Sequence, residues 1–491
     1  MEESSIPLRN QALMCRPFVG IMRGAQCGQV LLIVLAVLLA VAASSASFIW
    51  FMNQQQTRAG VRYRTTAALR AAEAGIHRAI SILESEAPDG TPGREWRPSD
   101  HSEPVAVGAL RGTFVVSVAS EAGGVLVITS EGRVGDSTRR LRARVHLASP
   151  ALLSALFVST VVQLERPPAA TFVFPYGAGL GDRPWFHIAA GEEIWFAQTR
   201  VSLNDPSSPD DLQPGPLDPI GLASPGGTQL VPETIRILLA GDARFTMGPE
   251  RLPIAEPQLR LAGIRLEGAA RRADRLPAVP TVDADYYRAL AQTNTANAEI
   301  NRSAGRFTGD ADLERKPDSL YGQDQMARIT AYLATGALPA DRPPVLRGMV
   351  YVQGSVTIPQ GSRVHIADGA LVADSTVQIG PKAELAVTHT PATRTLPGII
   401  VLGHGALILA PESRLRIHGL VYVNRAFDAA AGASVDIVGA LLANDPAIGY
   451  RNDAARVVVR YDPAVLGTPG LLTPAGAPVV AWVSRWEELP P

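Results

Sequence analysis

Residues 355–367 read SVTIPQGSRVHIA, and residues 376–388 read TVQIGPKAELAVT. The two align without a gap at an offset of 21 residues, so that Val356, Ile358, Val364 and Ile366 fall on Val377, Ile379, Leu385 and Val387. LILAPESRLRI at 407–417 repeats the first copy at an offset of 51, and IHGLVYVN at 417–424 matches IVGALLAN at 437–444 at an offset of 20. Apolar residues at every second place put one set of side chains on one face of a strand. Their recurrence near every 20 residues, after short turns, describes coils of chain stacked through parallel strands. Each coil then buries its inward residues against the coils beside it. A β-sandwich would rarely give ungapped offsets of this kind. The expectation is a parallel β-solenoid, a β-helix-like C-terminal domain, over residues 346–466, followed by a tail at 467–491.

Upstream of the repeats the pattern is still β. GTFVVSVAS, GVLVITSEG and RRLRARVHL alternate apolar and polar residues between 112 and 147, with glycine and serine breaks, and predict antiparallel strands within residues 91–150. Residues 151–345 form a mixed β region. ALFVSTVVQLE and EEIWFAQTRVSL read as further strands, residues 205–227 as a Pro/Gly/Asp-rich loop, and DADYYRALAQ and DQMARITAYLATG as helical insertions.

The N-terminus is of another kind. Residues 30–52, VLLIVLAVLLAVAASSASFIWFM, carry no charge and suit a hydrocarbon core of about 30 Å. Thirteen of them are Leu, Ile, Val or Phe. At the favourable per-residue values of the insertion scale they gain roughly 4 to 8 kcal/mol as an upper bound. A cleaved secretory signal is the alternative, with AASSAS as its cleavage site, but such signals have a shorter apolar core. The reading is a membrane-spanning helix over 29–52 behind an arm at 1–28. Arginines flank it on both sides, so the positive-inside count does not orient it. The β-rich bulk of the chain sets the arm on the cytoplasmic side. Leu69, Ala72, Ile76, Ile80 and Leu83 then recur at helical spacing, and no proline falls between 52 and 86. The membrane helix is therefore expected to run on as an amphipathic stem over 53–90, closed by Pro88-Asp89-Gly90. Its apolar stripe must pack on this chain's own sheet or on a neighbouring stem, and the small residues of RAAEAG at 70–75 permit close approach.

GQVLLIVLAVLL, NQQQTRAGVRYRTTAA and LRAAEAGIHRAISILE, taken together, resemble the N-terminus of PilX-type minor pilins and related pseudopilin-like proteins. The resemblance covers roughly residues 20–86. It implies that a prepilin peptidase cuts after Gly28, leaving Gln29 as the new N-terminus, and that other pilin-like subunits are partners. Major pilins carry a glutamate five residues after the cut, where this chain has Ile33, and the arm before Gly28 is long for a leader. RLPAVPTVDADYYRAL, RGMVYVQGSVTI and ARVVVRYDP resemble, more loosely, the β-helical domain that follows such stems in many bacterial surface proteins.

The rest of the composition restricts function. A formal net charge of −1 over 491 residues argues against nucleic-acid binding, which needs a basic face. The two cysteines, Cys15 and Cys27, both precede the apolar segment, so the body holds no disulfide or thiolate metal site. No HExxH, GxSxG, P-loop or CxxC motif is present. Asp310, Asp312 and Glu314 have a calcium-like spacing without the full EF-hand pattern, and read as a polar loop. A β-helix can be a lyase or glycosidase, which needs two convergent carboxylates. The outward places of the repeats instead hold Thr357 and Gln378 on one line and His365, Ala386 and Arg416 on another, with Asp436 alone; His365 and Arg416 are a candidate anion site.

The expectation is a single-pass protein of the bacterial inner membrane with no catalytic, cofactor or metal site. It is a minor subunit or assembly factor of a type IV pilus or related secretion filament, with its body in the periplasm or at the cell surface. Its partners are the lipid bilayer, prepilin peptidase, other pilin-like subunits, and a surface polysaccharide or a host or abiotic surface. The alternatives are a membrane-anchored carbohydrate-active or carbohydrate-binding β-helix and a static envelope scaffold.

Overall fold

The computed structural model describes residues 27–88, 90–121, 124–166, 186–196, 237–254, 260–261, 264–265, 270–335, 345–453 and 455–490. Cys15, the loop at 205–227 and residues 197–203 of the EEIWFAQTRVSL segment lie outside them. The chain divides into two units, residues 1–67 and 68–491. One helix, α1 (Cys27–Glu84), carries residues of both.

In the first unit the large apolar side chains from Leu32 to Met52 are exposed, Leu38 at 60% and Trp50 at 63%. The segment is long and apolar enough to cross a membrane, and none of its most apolar window is buried. Ser44 and Ser47 are accommodated within the helix, their hydroxyls donating to the carbonyls of Ala40 and Ala43 one turn back.

In the second unit an antiparallel sheet forms from β1 (His101–Val107), β2 (Leu110–Ser120), β3 (Val125–Val134) and β4 (Ser137–Ala148), in that order. The fifth strand, Val480–Leu489, comes from the last residues of the chain and pairs antiparallel with β4. Alternation decides which face is buried: Phe114, Val116, Val118, Leu126, Ile128, Leu141, Ala143 and Val145 lie on one side. There they share one core with Ala72, Ile76, Ala79, Ile80, Ile82 and Leu83 of α1.

Two large, mainly parallel sheets, one of nine strands and one of twelve, form most of the remaining described β structure. The repeat offsets appear directly as pairing registers. Val356 pairs with Val377 and Val377 with Leu407; Val364 pairs with Leu385 and Leu385 with Leu415; Ile417 pairs with Ile437. Between Val356 and Val377 the chain passes through strand Val356–Ile358 and strand Arg363–Ala373, then returns to pair beside its own start. The longer strand serves two neighbours, Glu384–Thr388 with its first half and Ile399–Val401 with its second. Between the halves lies Gly369, where an added Cβ would sit 1.8 Å from the Gly348 carbonyl oxygen. Gly439 meets the Gly419 carbonyl in the same way, at 2.0 Å. The strands bend one above another at a column where no side chain fits.

Inward residues stack along the sheets, and the rings of Phe427 and Tyr450 are stacked nearly parallel with centroids 5.3 Å apart. Beyond Tyr450 the next strand comes from far earlier in the chain. Tyr450 pairs with Val162, and Leu441 with Leu156. Strands Phe186–Ala190, Glu193–Phe196, Ile237–Ala240 and Arg244–Met247 extend both sheets further. The mixed region at 151–345 and the repeats thus share two continuous sheets. At the opposite end strand Leu320–Gly322 pairs with Leu346–Gln353, and helix Gln323–Ala334 buries Met326 and Ile329 in the same core. Covering a sheet end in this way removes an open edge.

Candidate functional site

Two surfaces in the second unit carry the residues singled out by sequence. The first is the stem from Ala68 to Glu84. Ala72, Ile76 and Leu83 are fully buried, Ile80 is buried and Leu69 is half-buried; all five pack into the core shared with the antiparallel sheet. The stripe is therefore occupied by this chain's own body. The small residues of AAEAG follow from that contact. A Cβ on Gly75 would lie 2.2 Å from Ser130 Oγ and 2.9 Å from the Phe114 ring. From the sheet side, a Cβ on Gly132 would lie 2.1 Å from the Ala68 carbonyl oxygen and 2.4 Å from the Ala72 nitrogen. Helix and sheet touch backbone to backbone. Glu73 of the same element is exposed and has no ion pair among the described residues. Charged groups fasten the edges: Arg78 and His101 hydrogen-bond Glu103, at 3.1 and 2.8 Å, and hold its carboxyl below the usual range, while Glu84 accepts from the Ala481 N–H at 2.7 Å. Gly28 and Gln29 lie in the first turn of α1, in the other unit.

The second surface is the open face of the twelve-stranded sheet. The first halves of strands Arg363–Ala373, Glu384–Thr388, Arg414–Val423 and Ser434–Ala443, with Arg456–Tyr461, turn alternate residues outward. Pairing registers them in columns. One column reads Arg363, Glu384, Arg414, Ser434, Arg456, and the next His365, Ala386, Arg416, Asp436, Val458. A groove of about 720 Å³ runs over them, with the Lys382–Glu412 ion pair from the turns on its rim. Arg363 and Arg416 both reach Glu384 at 3.8 Å, and Arg460 hydrogen-bonds Asp436 at 2.5 Å. Arg414 and Arg456 are exposed and have no ion pair among the described residues.

His365 and Arg416, the candidate anion pair, are not adjacent. Ala386 separates them, placing them two strands, or about 9.6 Å of backbone, apart. His365 instead contacts the Thr388 hydroxyl at 2.8 Å, and burial pushes its pKa down, so it is neutral at pH 7. Asp436, read as isolated, stands in register with Arg416. Asp310 is the N-cap of helix Ala311–Arg315, accepting from the Asp312 and Leu313 N–H groups and pairing with Arg328. Among the described residues no group of His, Cys, Asp and Glu side chains is arranged to hold a metal ion.

Sequence reading passed over Arg363, Arg414 and Arg456, although SRLRI and ARVVVR show arginines at outward, every-second places. It also passed over Asp428, on the nine-stranded sheet beside Arg451, whose pKa is pushed up by burial and by the Asp453 charge, against the pull of Arg451.

No family model matches this chain, and no curated protein matches it. Among solved structures, the competence-associated pilin ComZ from Thermus thermophilus aligns with 87% of this chain and 97% of its own, at 13% identity and a TM-score of 0.19. At that score the likeness establishes neither a shared fold nor a shared function.

Proposed function

We propose that the protein is a membrane-anchored, pilin-like subunit of the PilX-type minor pilin class, which acts by being assembled and displays its β-rich body for contact. The observation that carries the reading is helix α1. Its uncharged segment leaves the large apolar side chains from Leu32 to Met52 exposed, and its stem residues are sealed by Gly75 and Gly132 against a sheet. An exposed apolar helix needs lipid or another apolar helix around it. The GQ-LLIV and AAEAG elements that carry the pilin resemblance fall on these two segments. In this reading a prepilin peptidase cuts after Gly28, the body is exported, and the two parallel sheets form the walls of a β-solenoid, each circuit bending at the glycine column.

The protein is proposed to be non-enzymatic. On the open face Glu384 and Asp436 are engaged by arginines, an arrangement suited to binding and not to acid–base chemistry. A second reading, a carbohydrate-active body, is favoured by one arrangement, the partly buried Asp428 of the nine-stranded sheet, set 3.9 Å from Arg451 with the Asp453 charge near it. N-terminal sequencing of the mature protein, with mass spectrometry of sheared filaments, tests the first reading: the chain begins at Gln29 and is recovered with other pilin-like subunits. An uncut N-terminus, with the protein confined to the membrane and no pilin-like partner, identifies a static scaffold instead. Turnover of any polysaccharide that disappears in Asp428→Asn establishes the second reading.

A further inference from the structure

We infer that the open face of the twelve-stranded sheet binds an extended acidic polysaccharide in which every second sugar carries a carboxylate, held by Arg363, Arg414 and Arg456. These three arginines share one column and occupy alternate strands of it, separated by Glu384 and Ser434. Parallel strands are spaced by about 4.8 Å, so the backbone positions of successive arginines stand at intervals of roughly 10 Å along the column, an interval their guanidiniums can keep. That interval is comparable with one disaccharide of an extended glycan. A ligand carboxylate at each interval meets a planar, doubly donating guanidinium, the group best matched to it. Arg414 and Arg456 have no ion pair within the described residues, so binding breaks no existing pair there. Arg363 touches Glu384 only at 3.8 Å and is 83% exposed, so it turns to a ligand at little cost.

The groups between the cations decide the class of polyanion. Glu384, Asp436 and Ser434 lie among the arginines. A chain with a phosphate at every unit would be repelled by the two carboxylates. A glycan presents hydroxyl groups there, which donate to Glu384 and Asp436. The groove lining contains no Phe, Tyr or Trp, so the stacking platform that single-stranded nucleic acid uses is absent from it. The inference deepens the contact role proposed above, and it is separable from filament membership because it is measured on purified protein with no filament present.

The test uses the full chain in detergent and fluorescence anisotropy with four labelled probes: an oligosaccharide alternating glucuronate and N-acetylglucosamine, an oligogalacturonate, a neutral cello-oligosaccharide and a 20-nucleotide single-stranded DNA. The alternating glycan is expected to bind most tightly, in a salt-dependent manner, and the neutral one not at all. Losing one charge-assisted contact typically costs about tenfold, so Arg414→Gln with Arg456→Gln lowers affinity by roughly a hundredfold. Both side chains are exposed, and unchanged thermal unfolding of the double variant shows that the body is intact. Arg111→Gln, an exposed arginine on β2, serves as the control and leaves affinity unchanged. Failure of the alternating glycan to bind, equal loss in the control, or tighter binding of DNA than of either uronate probe overturns the inference.

Discussion

Replacing Val377 by aspartate places a carboxyl between Val356 and Leu407, in a column where all three side chains are essentially inaccessible. Two costs follow. Removing a buried valine forfeits about 1.5–3 kcal/mol. The carboxyl has no partner, so it stays protonated, and holding a group of ordinary pKa 3.9 neutral at pH 7 costs about 1.36 kcal/mol for each of some three units, or roughly 4 kcal/mol. Together these approach 6 kcal/mol, a large part of the 5–15 kcal/mol that typically holds a domain folded. Gln378→Asp alters the adjacent residue of the same three-residue strand, whose side chain faces solvent; its expected effect is within about 0.5 kcal/mol. The assay is hydrogen exchange of peptides from 370–410, with urea unfolding of the full chain in detergent. Val377→Asp opens this segment at pH 7, and its deficit against the parent chain shrinks by roughly 4 kcal/mol at pH 4, where about half of the unfolded chain's carboxyls are already protonated and little cost of neutrality remains. Gln378→Asp remains protected at both. Comparable damage from the two changes, or a deficit that ignores pH, would refute the inward register of the column.

Gly132→Val forces a side chain against the backbone of Ala68 and Ala72 and is expected to destabilise the body by about 1–3 kcal/mol or more in thermal unfolding, whereas Gly60→Ala, with nothing within 4 Å, is neutral or stabilising. Ile76→Asp buries an unpaired carboxyl in the stem core and costs several kcal/mol; unaltered unfolding would show that the stripe is not packed on the sheet. Gly28→Leu abolishes prepilin processing while leaving membrane insertion intact, read from the mature N-terminus and membrane fractionation. His146 is depressed below its ordinary 6.5 by burial. The unfolded chain therefore binds its proton more readily, so stability is fully present above about pH 6.5 and is lost as pH falls below it; His146→Gln flattens the melting temperature between pH 7 and 5. The carboxylates Glu103 and Glu131, held below 4.5 by hydrogen bonds from His101 and Arg78 and from Arg140 and Arg133, lose their contribution only at lower pH, which separates the two effects.

What could be read from sequence was whatever the pattern repeats locally. Val356, Val377 and Leu407 announced their register because inward places recur after a fixed length of chain, and the apolar stripe of the stem was visible because 3.6-residue spacing survives in LRAAEAGIHRAISILE. What could not be read depends on contacts distant in sequence. Nothing in ALFVSTVVQLE says that Val162 lies beside Tyr450, since a strand buried on both faces carries no mark of its neighbour. The last strand likewise reveals its alternation in VAWVSRW but not that β4 awaits it. The reason for glycine in AAEAG was half visible: small residues announced a close approach, but Gly132, some sixty residues on, supplied its other half. The open face shows the same division. Each of SRLRI and ARVVVR shows outward arginines by alternation alone, yet only the pairing of Arg414 with Ser434 and of Ser434 with Arg456 places them on alternate strands of one column. A ligand responds to that spacing between strands, which is why a chain of net charge −1 can still present a line of cations.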